Sequence, residues 1–318
     1  MQNLRFFSCL LFIFFLFVTC KRDSFKAQEG NFSPEKKIVI VLVDGPRYSE
    51  TGGDTTHSLQ PNMYSQLVSN GCVFTNFINS GETYTMAGHV SIFTGFNEPI
   101  SNDGKSLPSF PGLGQLFLKR YKLPKQKVCI LSSKDKLEVL SDCSLPGYKS
   151  KFKAFTDCGN FGLGSGYRDD SVTQQKALEI INANHPDFLF VQFKEPDVSG
   201  HSGNFANYKA GILSTDNYIA ELWNKINTDD YYKNKTYFIV TNDHGRHLDG
   251  HLDGFISHGD SCSGCRHINL FVSGPGIKKN YMETNAFDQR DLNKTILELF
   301  NLNTRFSNGN CMTTIFEN

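Results

Sequence analysis

The chain has 318 residues, of which 39% are hydrophobic and 20% are charged. Lys plus Arg and Asp plus Glu both number 32, so the formal net charge is zero at pH 7. This balance argues against a surface that captures nucleic acid or an anionic membrane by charge, and the length suits one large domain.

The N-terminus has the pattern of an export signal. Arg5 precedes an apolar run from Phe6 to Val18, which is too short to span a bilayer as a helix but suits a signal peptide. Cys20 lies where a bacterial lipoprotein would be cleaved and lipidated, although the three residues before it differ from the usual pattern. We predict an exported bacterial protein, periplasmic or on the outer surface, with Cys20 as a lipid anchor. The predicted segments are a signal at 1–20, a linker at 21–35 and a single folded domain at 36–318.

Several continuously apolar runs are typical of strands buried on both faces of a parallel sheet. Helix-like stretches lie between them, and Asp291 is predicted to be the N-cap of the last one. Together they predict a layered α/β/α domain with a mostly parallel central sheet. The predicted strands are Lys37–Val43, Val128–Leu131, Phe188–Phe193, Tyr237–Thr241 and Ile268–Val272. The predicted helices are Pro61–Val68, Leu113–Lys119, Ser171–Ile181, Asn207–Ile226 and Asp291–Phe300.

Acidic residues stand at or just past the ends of three predicted strands. They are Asp44, Asp197 and Asp243, and the carboxyl ends of parallel strands meet at the edge where ligands bind. Each also has a plainer explanation, such as a turn before Gly-Pro for Asp44. His201 follows Asp197 by four residues, and carboxylate with imidazole suits Zn²⁺.

Asp243-His244-Gly-Arg246 is the most specific of these segments. Adjacent residues of an extended chain point in opposite directions, so Asp243 and His244 would approach one metal only through an irregular turn, which Gly245 permits. Four further histidines lie close enough along the chain to complete a ligand set. These are His247, His251, His258 and His267.

A hydroxyl nucleophile is available in the segment from Thr83 to Gly95. Thr85 and Thr83 are both candidates, and either one could instead be an ordinary hydroxyl at a helix N-cap. A threonine hydroxyl is a poor nucleophile until a metal ion lowers its pKa. A helix that starts near Thr85 would also offer backbone N–H groups to a phosphate oxygen.

In this order and at these strand ends, the segments resemble the alkaline phosphatase superfamily, in particular its type I phosphodiesterase/nucleotide pyrophosphatase branch, which is sulfatase-like. The resemblance runs from about Lys37 to the C-terminus. Glu195-Pro-Asp-Val-Ser-Gly-His201 matches that branch closely. Members often carry Thr-x-Pro-x-His at the nucleophile, whereas this chain has Thr85-Met-Ala-Gly-His89, with alanine in place of proline.

The resemblance implies an alkaline-phosphatase-like α/β/α fold and two divalent metal ions, expected to be Zn²⁺. It also implies a role for each of the candidate site residues. Thr85 is the expected nucleophile, with Thr83 as the alternative. Asn102 would offer its amide to a phosphoryl oxygen, although a turn residue before Asp103 is the plainer interpretation. His258 precedes a strand as the family's last metal histidine does, which leaves His267 in reserve and His247 and His251 as surface groups or supports. The expected ligands are Asp44, Thr85, Asp243 and His244 for one ion, and Asp197, His201 and His258 for the other.

The expected activity is that of a phosphodiesterase or nucleotide pyrophosphatase on a small phosphate ester or nucleotide-like substrate. Sulfatases of similar sequence need Cys or Ser at the position of Thr85, because only those residues become formylglycine. The alternatives are a phosphomonoesterase or sulfatase-like hydrolase on the same fold, and a surface binding protein that has lost turnover. The residues that determine substrate specificity are expected to lie in Ser101–Gly166, and the sequence alone does not show which they are.

Seven cysteines lie beyond residue 20, and this odd number leaves at least one thiol free even in an oxidising compartment. Cys262-Ser-Gly-Cys265 has the spacing of half a zinc site. No second pair faces it in sequence, so a local disulfide or two thiols that brace a loop is the favoured interpretation.

Overall fold

The computed structural model describes residues 34–317. The predicted signal peptide and Cys20 lie outside the described residues, as does most of the predicted linker. Within residues 34–317, no helix combines the length and the apolar character needed to cross a membrane.

The described strands form one sheet. They are β1 (Lys37–Asp44), β2 (Cys72–Ile78), β3 (Val128–Ser132), β4 (Phe155–Cys158), β5 (Phe188–Pro196), β6 (Thr236–Asn242), β7 (His267–Ser273), β8 (Tyr281–Glu283) and β9 (Phe287–Asp288). Their order is β4-β3-β5-β1-β6-β7-β2-β8, with β9 also paired to β2. From β4 to β6 all pairings are parallel. The predicted mostly parallel α/β sheet is therefore confirmed.

One predicted strand has the wrong direction. Ile268–Val272 lies within β7, which is antiparallel to both of its neighbours, β6 and β2. A central strand is buried on both faces whichever way it runs, so its continuous apolar pattern does not reveal direction. The short strands β4, β8 and β9 and the half-buried β2 were not predicted.

Helices cover both faces of the sheet. They are α1 (Thr85–Thr94), α2 (Leu113–Tyr121), α3 (Asp170–Asn184), α4 (Asp197–His201), α5 (Phe205–Thr228), α6 (Ser263–Arg266) and α7 (Gln289–Leu299). Of the helices predicted, Pro61–Val68 is instead a short π-type turn at Met63–Leu67 that continues into a 3₁₀ turn. The N-cap of α7 is Asp288 rather than Asp291, because Asp291 lies at the third helical position and completes a capping box.

The alternation of side chains along β1 divides the core into two halves. Ile38, Ile40 and Leu42 point to the side where α1, α2 and α7 pack, with Phe93 and Leu116 among their neighbours. The intervening valines point to the other side, where α3 and α5 contribute a second apolar cluster. Successive residues of a strand face opposite sides of the sheet, so one apolar run supplies both cores.

Helix α1 is tied to the sheet by aromatic packing. The ring of Phe93 lies edge-on to Phe190 of β5, with centroids 4.8 Å apart. Both side chains are fully buried. Edge-to-face pairs of this kind add to the stabilisation from burial alone. This contact fixes the helix whose first residue is Thr85.

We expect Phe93→Ala to lower the free energy of unfolding by about 3–5 kcal/mol, because it leaves a cavity between α1 and the sheet. Urea denaturation measures the change. Phe161→Ala is the matched control, since Phe161 is 96% exposed and its loss should change stability by less than about 0.5 kcal/mol. Equal changes in the free energy of unfolding for the two substitutions would contradict this packing of Phe93.

Candidate functional site

Three buried aspartates meet at the carboxyl edge of the sheet. Asp44 ends β1, Asp243 directly follows β6, and Asp197 follows β5 as the first residue of α4. Strand β1 lies between β5 and β6, and the register pairs Asp44 with Pro196 and Val43 with Asn242. The backbone alone therefore brings the three carboxylates to one place, as the sequence predicted.

Asp44, Asp243 and His244 form a first group of candidate ligands. One side-chain atom from each lies within 4.8 Å of the others. His244 Nε2 is 3.6 Å from Asp44 Oδ1 and 3.4 Å from Asp243 Oδ2. These three atoms are buried and accept no hydrogen bond from any described residue. Buried polar atoms are rarely left without partners, so a cation at this point would satisfy all three.

The protonation of this first group suits a cation. His244 Nδ1 is 2.9 Å from the Gly245 carbonyl oxygen, which can only accept a hydrogen bond. Burial lowers the pKa of His244 to about 3, against the opposing charge of Asp243, so the ring is neutral and Nε2 keeps its lone pair. Burial and the charge of Asp243 raise the pKa of Asp44 well above its ordinary value.

Asp197, His201 and His258 form a second group beside the first. Asp197 Oδ1 lies 3.3 Å from His201 Nε2 and 3.4 Å from His258 Nε2, and the two imidazole nitrogens are 3.1 Å apart. His258 is oriented by its Nδ1, which lies 2.7 Å from the Thr83 carbonyl oxygen. The ring of His258 also stacks on His244 at 3.7 Å, so the two groups are in direct contact.

Lys134 is a site residue that sequence reasoning missed. Its side chain is buried, and Nζ lies 2.7 Å from Asp197 Oδ2, 2.9 Å from Asp44 Oδ2 and 3.4 Å from Thr85 Oγ1. Burial alone would lower the pKa of Lys134, but the charges of Asp197 and Asp44 outweigh it and raise that pKa, so the ammonium stays charged. A signal existed, because Lys134 follows the predicted strand Val128–Leu131 at the same sheet edge.

Two further polar side chains hold the aspartates in place. Gln192 of β5 donates from Nε2 to Asp44 Oδ2 at 2.9 Å. Arg246 is fully buried, and its guanidinium bonds Asp197 and the carbonyl oxygens of Phe255 and Ile256. The sequence indicated Arg246 only as part of a motif. Its contacts show that it fastens the loop before His258 to Asp197.

Thr85 is buried at the first position of α1, and Lys134 lies between its hydroxyl and the carboxylates of Asp44 and Asp197. Met86 N donates to Asn102 Oδ1 at 3.0 Å, so this amide of the helix end already has a partner. The same oxygen of Asn102 accepts from Lys136 Nζ at 3.0 Å. Asn102 thus lies against the helix that carries Thr85, and its side-chain carbonyl oxygen braces that helix. The expected contact of its amide nitrogen with a phosphoryl oxygen stays a prediction.

Several alternative residues lie away from the site or are engaged elsewhere. Thr83 Oγ1 donates to the Asp260 carbonyl oxygen at 2.7 Å, and so its hydroxyl is directed into the neighbouring loop. His267 stacks on Tyr48 and contacts the Thr75 carbonyl oxygen, which removes it from the ligand set. His247 and His251 gather around Asp260.

The close approach of α1 to β6 depends on Gly88. A Cβ atom at Gly88 would lie 2.4 Å from the Asp243 carbonyl oxygen. We expect Gly88→Ala to displace α1, destabilise the fold and abolish activity. Gly114→Ala is the matched control, because that helical glycine has room for a methyl group, its nearest neighbour being 3.4 Å away. The control should gain up to about 1 kcal/mol of stability, because alanine has a higher helix propensity than glycine. Thermal unfolding measures the loss of stability in one variant and the gain in the other.

Comparison with known proteins agrees with this fold. Residues 36–302 match the Sulfatase family. A protein in the alkaline phosphatase superfamily from Vibrio parahaemolyticus is 17% identical, with a TM-score of 0.62 over 89% of this chain and 71% of that one. Murine ectonucleotide pyrophosphatase/phosphodiesterase 5 is 14% identical, with a TM-score of 0.65 over 89% of this chain and 100% of that one. The phosphonate monoester hydrolase of Silicibacter pomeroyi is 12% identical, with a TM-score of 0.64 over 87% of this chain and 76% of that one.

A search of curated protein sequences found no match. At these identities the solved structures establish the fold alone, whereas the family match spans most of the chain. The chain has the fold of structures from the alkaline phosphatase superfamily, and it belongs to the Sulfatase family, whose members include metal-dependent hydrolases of sulfate and phosphate esters.

Proposed function

We propose that the protein is an exported two-metal phosphoric ester hydrolase that acts through Thr85, and specifically a phosphodiesterase of the nucleotide pyrophosphatase kind. The observation that carries the proposal is the position of one hydroxyl. Thr85 is buried beside Lys134, and that lysine also bonds Asp44 and Asp197, one from each ligand group. A nucleophile next to two candidate cation positions suits in-line displacement at phosphorus, because two metal ions can stabilise both the attacking and the leaving oxygen.

The donor sets fit divalent metal ions of the zinc type. Asp44, Asp243, His244 and Thr85 would hold one ion, and the buried atoms without hydrogen-bond partners in the first three argue for it. Asp197, His201 and His258 would hold the other, since Asp197 Oδ1 and the two Nε2 atoms converge. Bound metal ions would lower the pKa of the threonine hydroxyl and of a water molecule.

The protein groups would then act in the following way. Thr85 Oγ1 forms a bond to phosphorus while the bond to the leaving oxygen breaks, and water later releases the phosphoryl group from the threonine. Lys134, which stays charged, favours the ionised hydroxyl and balances Asp44 and Asp197. The amide nitrogen of Asn102 would donate a hydrogen bond to a phosphoryl oxygen of the substrate.

A threonine nucleophile favours phosphate over sulfate esters. The β-carbon of threonine carries a methyl group, so oxidation there would give a ketone instead of the aldehyde of formylglycine. Among the solved structures of similar fold, murine ectonucleotide pyrophosphatase/phosphodiesterase 5 is described in complex with AMP as an inactive threonine-to-alanine variant. Hydrolysis of sulfate esters is the second candidate, because the family match is to sulfatases.

We expect the zinc-loaded protein to hydrolyse bis-p-nitrophenyl phosphate faster than p-nitrophenyl phosphate, and p-nitrophenyl sulfate least. Thr85→Ala should reduce diester turnover by at least about 10³-fold, because it removes the attacking atom. Release of p-nitrophenolate measures all three activities. Thr83→Ala is the matched control, since its hydroxyl bonds the Asp260 backbone and turnover should stay within about tenfold.

Preferred turnover of the sulfate ester would replace this proposal with the sulfatase alternative. If Thr83→Ala loses activity and Thr85→Ala keeps it, the nucleophile has been assigned to the wrong threonine. A protein that binds metal but turns over no ester would favour the alternative of a binding protein.

Metal content gives an independent check that does not depend on the choice of substrate. We expect Asp243→Asn to retain about one metal ion fewer per chain than the parent, because a neutral amide is a weaker ligand than a carboxylate. Elemental analysis after dialysis measures the content. Asp169→Asn is the control, since that carboxylate is 81% exposed and bonds Lys194. Unchanged metal content in Asp243→Asn would contradict the ligand assignment.

A further inference from the structure

A second cluster of metal-binding side chains lies outside the candidate active site, in the loop between β6 and β7. It consists of His247, Asp260, Cys262 and Cys265, and one ligand atom from each lies within 4.8 Å of the others. His247 and Cys265 are buried, and the other two are partly exposed. Thiolates with an imidazole are the ligands that zinc prefers, and a tetrahedral site would place them about 3.3–3.8 Å apart.

His247 is oriented as metal-bound histidines usually are. Its Nδ1 lies 2.9 Å from Asp253 Oδ1, a carboxylate that can only accept. Nδ1 therefore carries the hydrogen, and in the neutral ring the lone pair of Nε2 points into the cluster. That nitrogen is buried and makes no hydrogen bond within the described chain, although Asp260 Oδ2 lies 3.4 Å away. A cation between Nε2 and the Asp260 carboxylate would give both groups a partner.

The two cysteines are arranged to bind one ion together. Cys262 caps the short helix α6, and its Sγ accepts a hydrogen bond from Cys265 N at 3.4 Å. Both sulfurs are free thiols in the structure, as are the other cysteines of the described chain. Of the two arrangements favoured from the sequence, the local disulfide is therefore not formed, and the loop contains two thiols.

We propose that His247, Asp260, Cys262 and Cys265 bind one structural zinc ion that is separate from the two metals of the candidate active site. Asp253 would orient His247 from behind, and His251, whose Nε2 is 2.8 Å from Asp260 Oδ2, would orient the carboxylate. Four protein ligands leave no open position, which is typical of a structural site.

The zinc would hold in place the loop that carries His258. His247 N donates to the Ser257 carbonyl oxygen at 3.1 Å, directly before His258. On the other side, Thr83 Oγ1 bonds the Asp260 carbonyl oxygen, and the Thr83 carbonyl in turn orients His258. The four ligands thus enclose the segment between Arg246 and Arg266. Loss of this ion would loosen His258 without removing any ligand of the candidate active site.

Cobalt substitution of the full chain tests the proposal. The candidate active-site ligands contain only oxygen and nitrogen, so thiolate-to-cobalt charge transfer can come only from a site with cysteine. We expect one equivalent of Co²⁺ per chain to give this absorption, together with the intense visible bands of tetrahedral cobalt. Cys262→Ser combined with Cys265→Ser should abolish the charge-transfer band and lower the zinc content by one ion per chain.

Cys311→Ser is the matched control, because Cys311 is also a partly exposed thiol but lies outside the cluster, and its spectrum should equal that of the parent. If the double variant does not fold, the cobalt spectra of the parent and of His247→Gln still test the proposal. His247→Gln should keep the thiolate-to-cobalt band, whereas its visible bands should change.

No charge-transfer band in the folded parent would overturn the proposal. A Cys262–Cys265 disulfide found by peptide mass spectrometry in the parent would also overturn it. Neither result depends on the ester that the enzyme hydrolyses, so the proposed function can fail while the zinc assignment stands.

Discussion

The structure depends on the confinement of three carboxylates at one buried point of the sheet edge. Asp44, Asp197 and Asp243 are each at most 4% exposed, and the removal of a carboxylate from water costs several kcal/mol unless positive charge and hydrogen bonds offset it. Lys134 and Arg246 supply part of that charge. The atoms that they leave without partners lie between Asp44, Asp243 and His244, where a metal ion would complete the balance.

Rigid elements supply this arrangement, and loops refine it. The parallel neighbours β5, β1 and β6 deliver the aspartates by strand order alone, and the Phe93–Phe190 contact sets α1 beside them. The loop between β6 and β7 then brings His258 back over the site. A site built this way holds its charged groups before substrate arrives, which is the condition for electrostatic catalysis.

Sequence reasoning worked best where a residue type conflicted with its position. An aspartate at the end of an apolar strand is costly unless it has a partner, so Asp44, Asp197 and Asp243 were visible without coordinates. Asp288 was missed as the cap of α7 because either of two nearby aspartates could fill that role. Lys134 was missed because a lone lysine after a strand is usually solvated, and only its contacts show that it is buried.

The sequence by itself determined the α/β layering, the central apolar strands and the acidic residues at their ends, since burial and side-chain period are properties of a local segment. Tertiary structure decided the antiparallel direction of β7, the engagement of the Thr83 hydroxyl, the packing of His267 against Tyr48, and the gathering of His247 with Cys262 and Cys265. These outcomes depend on which distant segments meet, because a hydrogen bond or a ligand set joins residues whose separation along the chain carries no information about distance in space.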